Sequence, residues 1–373
     1  MASPDFEALA QAGIRRLRAY DPGHDIIALR KDFPGGALVE LGSNESAFGP
    51  SPRALQAVRD SLEGLHRYPD PLASGLKSAL AARLQLDASQ LILGNGSHEL
   101  LMMLAQVFAG PGADVVASEF GFAVYAIAAQ AAGAGFVRVP ALAGDSDMPL
   151  GHDLDAVASA VTPSTRLVYL ANPNNPSATW FSTAELAAFV EAVRSDVLVV
   201  VDEAYIEYVT DPALVSAVGL LDRFSNLVVT RTFSKAHGLA GLRVGYACAH
   251  PDLVAVLERV RESFNVGSPG LAAATASLAD PAHVTSVRDA NASERDWLAN
   301  QLRLRGCRVG PSQTNFLLID FGRNASAVEA ALVRRGVVLR PMAGYGLGDC
   351  LRVTVGARGD NLQLLAALDQ VLS

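Results

Sequence analysis

A chain of 373 residues, half of them hydrophobic and only 18% charged, reads as a well-packed globular protein of about two domains. The formal net charge of −8 argues against a nucleic-acid partner, which would want a basic face, and no apolar run reaches the ~18 residues that a membrane span needs. The three cysteines, Cys248, Cys307 and Cys350, are too far apart for a disulfide framework or a zinc pattern, and the seven histidines show no metal-ligand spacing. No metal is expected. The start lacks a basic segment followed by an apolar one, so no secretory signal is read there, and a reducing cytoplasm is the expected location.

In chain order, Ser3-Pro4 reads as a cap and first turn of a short helix, and residues 20–50, rich in Gly and Pro, as an extended arm. Ser51-Pro52 opens a helix to about Leu65, a turn covers Arg67–Pro71, and another helix runs from about Gly75 to Leu84. Leu91–Leu93 then lead into Gly94-Asn95-Gly96, and a helix follows from Ser97 with Leu100, Leu101, Leu104, Val107 and Phe108 at helical spacing. A glycine turn feeding a helix presents unpaired N–H groups and a partial positive charge, a good seat for phosphate.

Three short apolar runs follow: Leu167–Leu170, Val197–Val201 and Leu227–Val229. Each is too short for a helix and reads as a buried parallel strand, spaced as in βαβ units. Ser182 and Glu185 form a capping box for the helix between the first two. The residues just past the strand ends are Asn172–Pro176, Asp202–Tyr205 and Thr232–Lys235, so an amide, a carboxylate, a phenol and an amine should converge at one sheet edge. Gly241–Ala249 follows Lys235 too closely for a parallel crossover and should return antiparallel, bringing Arg243 to the same edge. A helix from about Pro251 to Ser263 comes next. Beyond it the pattern is that of long helices with strands at NFLLIDF, VVLR and LRVTV, closed by a C-terminal helix.

Asn175, Asp202, Tyr205, Lys235 and Arg243 at these spacings resemble the pyridoxal 5′-phosphate (PLP) site of fold-type I aminotransferases of class I/II. RTFSKAHGLAGLRVGYA (231–247), NPNNP, DEAY and NGSHEL resemble the histidinol-phosphate aminotransferase branch in particular. The resemblance implies an α/β fold with a large, mostly parallel seven-stranded-type sheet covered by helices on both faces, plus a smaller α+β domain. The expected division is an N-terminal helix and arm packing with the small domain (1–43), a PLP-binding domain (44–266) and a small C-terminal domain (267–373).

By the same resemblance, Lys235 carries PLP as a Schiff base and shuttles the proton, and Asp202 keeps the ring nitrogen protonated. Tyr205 and Asn175 donate to the ring's phenolic oxygen, while Gly96, Ser97, Ser234 and Arg243 hold the phosphate. Phe122 stacks on the ring, and Tyr68 reaches the neighbouring subunit's site in a homodimer. Arg352 grips the substrate, with Asn175 beside it and Arg340 as a second anion ligand; Asn315 and Asn44-Glu45 shape the pocket. The reaction implied is ping-pong amino transfer between histidinol phosphate and 2-oxoglutarate, with small-molecule amino and keto acids as partners. An aromatic amino acid aminotransferase, or a lyase or decarboxylase using the same lysine, remains open. A non-enzymatic regulator is disfavoured, because no basic DNA-binding module precedes the body. A dinucleotide reading of GNGSHE fails at Glu99, where the last glycine should stand. The chain departs from the branch at Ser177-Ala178, His237 and Phe120-Gly121-Phe122, which leaves the identity of the substrate in question.

Overall fold

The computed structural model describes residues 4–15, 17, 23–33 and 38–372. In chain order its strands begin with β1 (Val39–Glu40), which lies apart from the main sheet. β2 (Leu91–Gly94), β3 (Asp114–Ser118), β4 (Gly135–Val139), β5 (Thr165–Ala171), β6 (Leu198–Asp202), β7 (Leu227–Thr232) and β8 (Gly245–Cys248) form a seven-stranded sheet in the order β2-β8-β7-β6-β5-β3-β4. β3 through β7 pair in parallel, and β8 runs against both β2 and β7.

The uniform hydrophobicity of the three central runs follows from helices on both faces. Val168, Leu170, Val199, Val201 and Val229 face Leu186, Phe189 and Val190 of the helix Thr183–Ala192. Their alternates Leu167, Tyr169, Val200 and Val228 face Leu100, Leu101 and Leu104 of the helix Ser97–Phe108. Each buried Leu or Val contributes roughly 1.5–3 kcal/mol relative to exposure, and the polar groups among the alternates are hydrogen-bonded, the Tyr169 hydroxyl to the Leu101 carbonyl and the Thr230 hydroxyl to Asp202. The sequence pattern missed β3, β4 and the helix Val124–Ala131 that links them.

In the C-terminal part, β9 (Arg308–Val309), β10 (Phe316–Asp320), β12 (Arg340–Pro341) and β13 (Cys350–Thr354) form an antiparallel sheet in the order β12-β13-β10-β9. β11 (Val337–Val338) pairs in parallel with β1 instead, so VVLR splits into two strands belonging to two sheets. That pairing places Val39 and Leu41 in the same core as Leu317, Leu351 and Leu364.

Several local readings change. Asp5 caps the first helix, Phe6–Leu9, and a second short helix, Ala12–Arg15, follows a break; Ser3 lies outside the described residues. The arm contains a helix, Ile26–Asp32, capped by Asp25. The helix opening at Pro251 ends at Leu257. The helix Ser268–Leu278 falls after the boundary read at 266, yet it packs Ala273 and Ala274 into the main sheet's core against the helices Pro52–Ser61 and Ser74–Leu84. Its run of Gly, Ala and Ser side chains permits that close approach. No described helix is long and apolar enough to cross a membrane.

Candidate active site

The parallel strands end at one edge, where register pairs Gly94 with Gly245, Gly245 with Thr232, and Ala171 with Asp202. A cleft of about 910 Å³ opens there, between this edge and the wall that carries β12 and β13. Ser97, Phe122, Asn175, Asp202, Tyr205, Ser234, Lys235, Arg243, Arg340 and Arg352 all line it. Tyr68 does not. It is 82% exposed and stacks on Phe264 with ring centroids 4.6 Å apart.

At one end of the cleft two glycines bring backbone and cation together. Gly96 has φ +83°, and an added Cβ would lie 2.3 Å from Nη2 of Arg243. A Cβ on Gly245 would lie 2.3 Å from the backbone nitrogen of Ser97, so β8 can pass against the helix start only without a side chain there. Nη1 of Arg243 donates to Oγ of Ser234 at 3.2 Å and to the Ala240 carbonyl at 3.0 Å. A permanent cation, two hydroxyls and the N-terminus of a twelve-residue helix thus surround a space suited to a phosphate.

Asp202, the last residue of β6, forms the floor. Its carboxylate accepts from the Tyr125 hydroxyl and the Thr230 hydroxyl, each at 3.2 Å. Burial pushes its pKa up to about 6, because two neutral donors only partly replace water. Tyr125 and Thr230 were not anticipated. Thr230 carried a signal, being the hydroxyl that directly follows the apolar run Leu227–Val229, whereas Tyr125 carried none.

Lys235 donates from Nζ to the Asn44 carbonyl at 3.1 Å and the Ser43 carbonyl at 3.4 Å, and Nζ lies 5.7 Å from the Tyr205 ring centre. Burial first, then Arg352 and Arg243, lower its pKa to about 8. The neutral amine, the nucleophile toward an aldehyde, therefore becomes the main form above pH 8. Covalent capture of PLP by the apoprotein is expected to rise about tenfold per pH unit below that value and to level off above it. Borohydride trapping across pH 6–10 measures this, and a rate still climbing to pH 10 would contradict the depressed amine.

Tyr205 is buried and accepts from Asn44 Nδ2 at 3.0 Å, and burial pushes its hydroxyl to about 12. Nη1 of Arg352 donates to Oδ1 of Asn175 at 2.6 Å and Nη2 to the Gly42 carbonyl at 2.7 Å. Arg340 is the direct cross-strand partner of Arg352. Phe122 contacts Tyr125 edge-on, with centroids 5.9 Å apart. Asn315 reaches the Asn44 and Glu45 carbonyls at 3.1 Å and so braces the segment that holds Lys235.

Two of the departures have a local account. Ala178 takes φ +66°, and its buried methyl packs in the cluster with Tyr205, Ala236 and Phe316. An alanine there costs about 1–2 kcal/mol relative to glycine, offset in part by that packing. His237 does not line the cleft. Burial holds it neutral, and its Nδ1 lies 2.7 Å from the Ser277 hydroxyl, which ties the lysine-bearing loop to the helix Ser268–Leu278.

Residues 37–371 match the family model of the class I and II aminotransferases. The chain belongs to that family. It is 45% identical over 373 residues to histidinol-phosphate aminotransferase 2 of Pseudomonas fluorescens strain Pf-5, covering 100% of this chain and 99% of that one. It is 45% identical over 371 residues to the protein of the same name from Pseudomonas aeruginosa, covering 99% of each. Its structure resembles that of histidinol-phosphate aminotransferase from Sinorhizobium meliloti in complex with PLP, with a TM-score of 0.88, 32% identity and 97% of each chain covered.

The residues present fit that cofactor. A buried carboxylate without a cation among its hydrogen-bond donors is placed to meet a protonated ring nitrogen, a depressed amine to meet an aldehyde, and the Gly96–Arg243 cradle to meet a phosphate.

Proposed function

We propose that this PLP-dependent aminotransferase passes an amino group between histidinol phosphate and 2-oxoglutarate. The observation that carries the substrate reading is the Arg340–Arg352 pair. Their cross-strand register sets both residues at one wall of the cleft, where two permanent cations suit an anionic substrate group. Histidinol phosphate supplies one dianionic group, and 2-oxoglutarate supplies a second carboxylate, so one pair of arginines serves both halves of a ping-pong cycle. Full-length likeness to enzymes of that name supports the same reading.

When bound, PLP supplies an electron-withdrawing ring that stabilises negative charge at the substrate's α-carbon. Asp202 would hold the proton on the ring nitrogen. Lys235, with its lowered pKa, would take the proton from the α-carbon and return it on the cofactor side. Tyr205 and Asn175 would donate to the ring's phenolic oxygen, Ser97, Ser234, Arg243 and the Gly96 backbone would hold the phosphate, and Phe122 would cover one ring face.

Tyr68 enters through a second copy of the chain. Leu62, Leu65, Tyr68 and Leu72 are exposed along one stretch, with Phe264 stacked on Tyr68, an apolar patch of the kind that marks an interaction surface. Burying it between two copies would bring Tyr68 to the partner's cleft. Mixing Tyr68→Ala with Lys235→Ala, each inactive alone, is expected to restore roughly a quarter of native turnover, since half the dimers would be mixed and each would hold one intact site. No recovery after exchange would sink the shared site. The three cysteines are free and buried, consistent with a reducing cytoplasm.

A substrate panel tests the whole reading. Histidinol phosphate should exceed phenylalanine and tyrosine in kcat/KM with 2-oxoglutarate as acceptor. Release of ammonia or carbon dioxide without amino transfer would instead favour a lyase or decarboxylase.

A further inference from the structure

The loop between β12 and β13 overhangs the cleft. Ala343, Gly344 and Gly346 are exposed, and Met342, its first residue, is buried. The loop is closed on itself, with the Tyr345 and Leu347 N–H groups both donating to the Met342 carbonyl, at 2.9 and 3.2 Å. The Tyr345 side chain leaves the loop and crosses to the opposite wall, where its hydroxyl oxygen accepts from the Ala123 backbone N–H at 3.1 Å. Ala123 follows Phe122 and caps the helix Val124–Ala131, whose Ala126 and Ile127 also line the cleft. The bond thus joins the wall carrying Arg340 and Arg352 to the wall carrying the Phe122 ring. Burial chiefly raises the Tyr125 and Tyr205 hydroxyls, and Tyr345 adds to both shifts, so its own hydroxyl lies near these two phenols.

Resting on the aminotransferase reading, we propose that Tyr345 is a specificity-determining residue, a strut that limits the side chain a substrate can place between the arginines and the Phe122 wall. An anion held at Arg340 and Arg352 fixes one end of the substrate, and the amino group near Lys235 fixes the other. The remaining side-chain volume is bounded by the Tyr345 ring, the Ala123 backbone and the small side chain of Ala126. A short chain or a five-membered ring fits such a space with less displacement than a six-membered aromatic ring. One methylene more or less in a fitted apolar pocket changes kcat/KM by about 10–200-fold.

The experiment compares the native enzyme with Tyr345→Ala and Tyr345→Phe, using phenylalanine, glutamate and histidinol phosphate as donors. Tyr345→Ala removes ring and bond together and should raise the phenylalanine-to-glutamate ratio of kcat/KM by about tenfold or more. Tyr345→Phe keeps the ring and loses the bond. It should raise the same ratio by a smaller factor, mainly through KM, and should speed hydrogen exchange at the Ala123 amide about tenfold in the free protein. A ratio within twofold of native in Tyr345→Ala, or unaltered exchange at Ala123 in Tyr345→Phe, overturns the proposal. The ratio is read without histidinol phosphate. If the native enzyme ignores histidinol phosphate while Tyr345→Ala shows the ratio shift, the substrate assignment is refuted and the strut stands.

Discussion

Lys235→Ala is expected to lower turnover by about four orders of magnitude or more and to abolish covalent capture of PLP. Among the described residues, the other lysine or arginine side chains lining the cleft are Arg138, Arg243, Arg340 and Arg352. Arginine does not lose its proton in proteins, so none can replace the amine as nucleophile or proton carrier. Borohydride reduction with mass spectrometry reads the covalent adduct, and a labelled variant, or one turning over at a native rate, would contradict the assignment. Misfolding is separable from lost chemistry by the sign of the stability change. The native amine titrates near 8 against a reference of 10.5, so between those values the folded state binds fewer protons than the unfolded state. Its stability therefore rises with pH across that window, and the penalty is fully present below pH 8. The alanine variant, freed of this penalty, should melt higher than native apoprotein at pH 7, and a lower melting point would indicate lost packing instead.

Asp202→Asn is expected to cut kcat by two to three orders of magnitude while leaving PLP bound. Asparagine keeps the size of the side chain and can still accept at one oxygen, so one of the bonds from Tyr125 and Thr230 survives. It lacks the negative charge that would hold a proton on the ring nitrogen. The native carboxyl, raised to about 6, is mostly ionised at pH 7 and able to supply that charge. Single-turnover rates with glutamate measure the loss, and a near-native rate would remove Asp202 from the mechanism. Here the folded pKa lies above the reference of 3.8, so the folded state binds more protons between about 3.8 and 6, and stability falls as pH rises through that window. At pH 7 the apoprotein carrying asparagine should accordingly be no less stable than native.

Much of this site is legible in the sequence, because its parts are punctuated locally. Asp202 ends an apolar strand, Gly94 and Gly96 interrupt the pattern just ahead of a helix, and Lys235 follows a third apolar run within three residues of the strand's end. Strand direction also followed from spacing, since the interval from Lys235 to β8 is too short for a crossover and β8 does run antiparallel. The arm was less legible. Its glycines and prolines masked the helix Ile26–Asp32, and the pairing of β1 with β11 joins segments about 300 residues apart. β4 escaped because Gly135 and Arg138 break its apolar pattern at the sheet's edge, where burial is incomplete, and β3 because its buried apolar run is only Val115–Ala117, bracketed by Asp114 and Ser118.

By itself the sequence determined which residues end each strand, which turns need glycine, and which side chains carry an amine, an acid or a guanidinium to the sheet's edge. These properties depend on backbone conformation and burial over a few residues, and composition and periodicity record them directly. Tertiary structure alone decided that Tyr125 and Thr230 hold Asp202, that Arg340 stands beside Arg352, that Tyr345 bridges to Ala123, and that Tyr68 lies outside its own chain's cleft. Such meetings depend on how separate elements pack and in which register, and no local pattern encodes the distance between residues 200 positions apart.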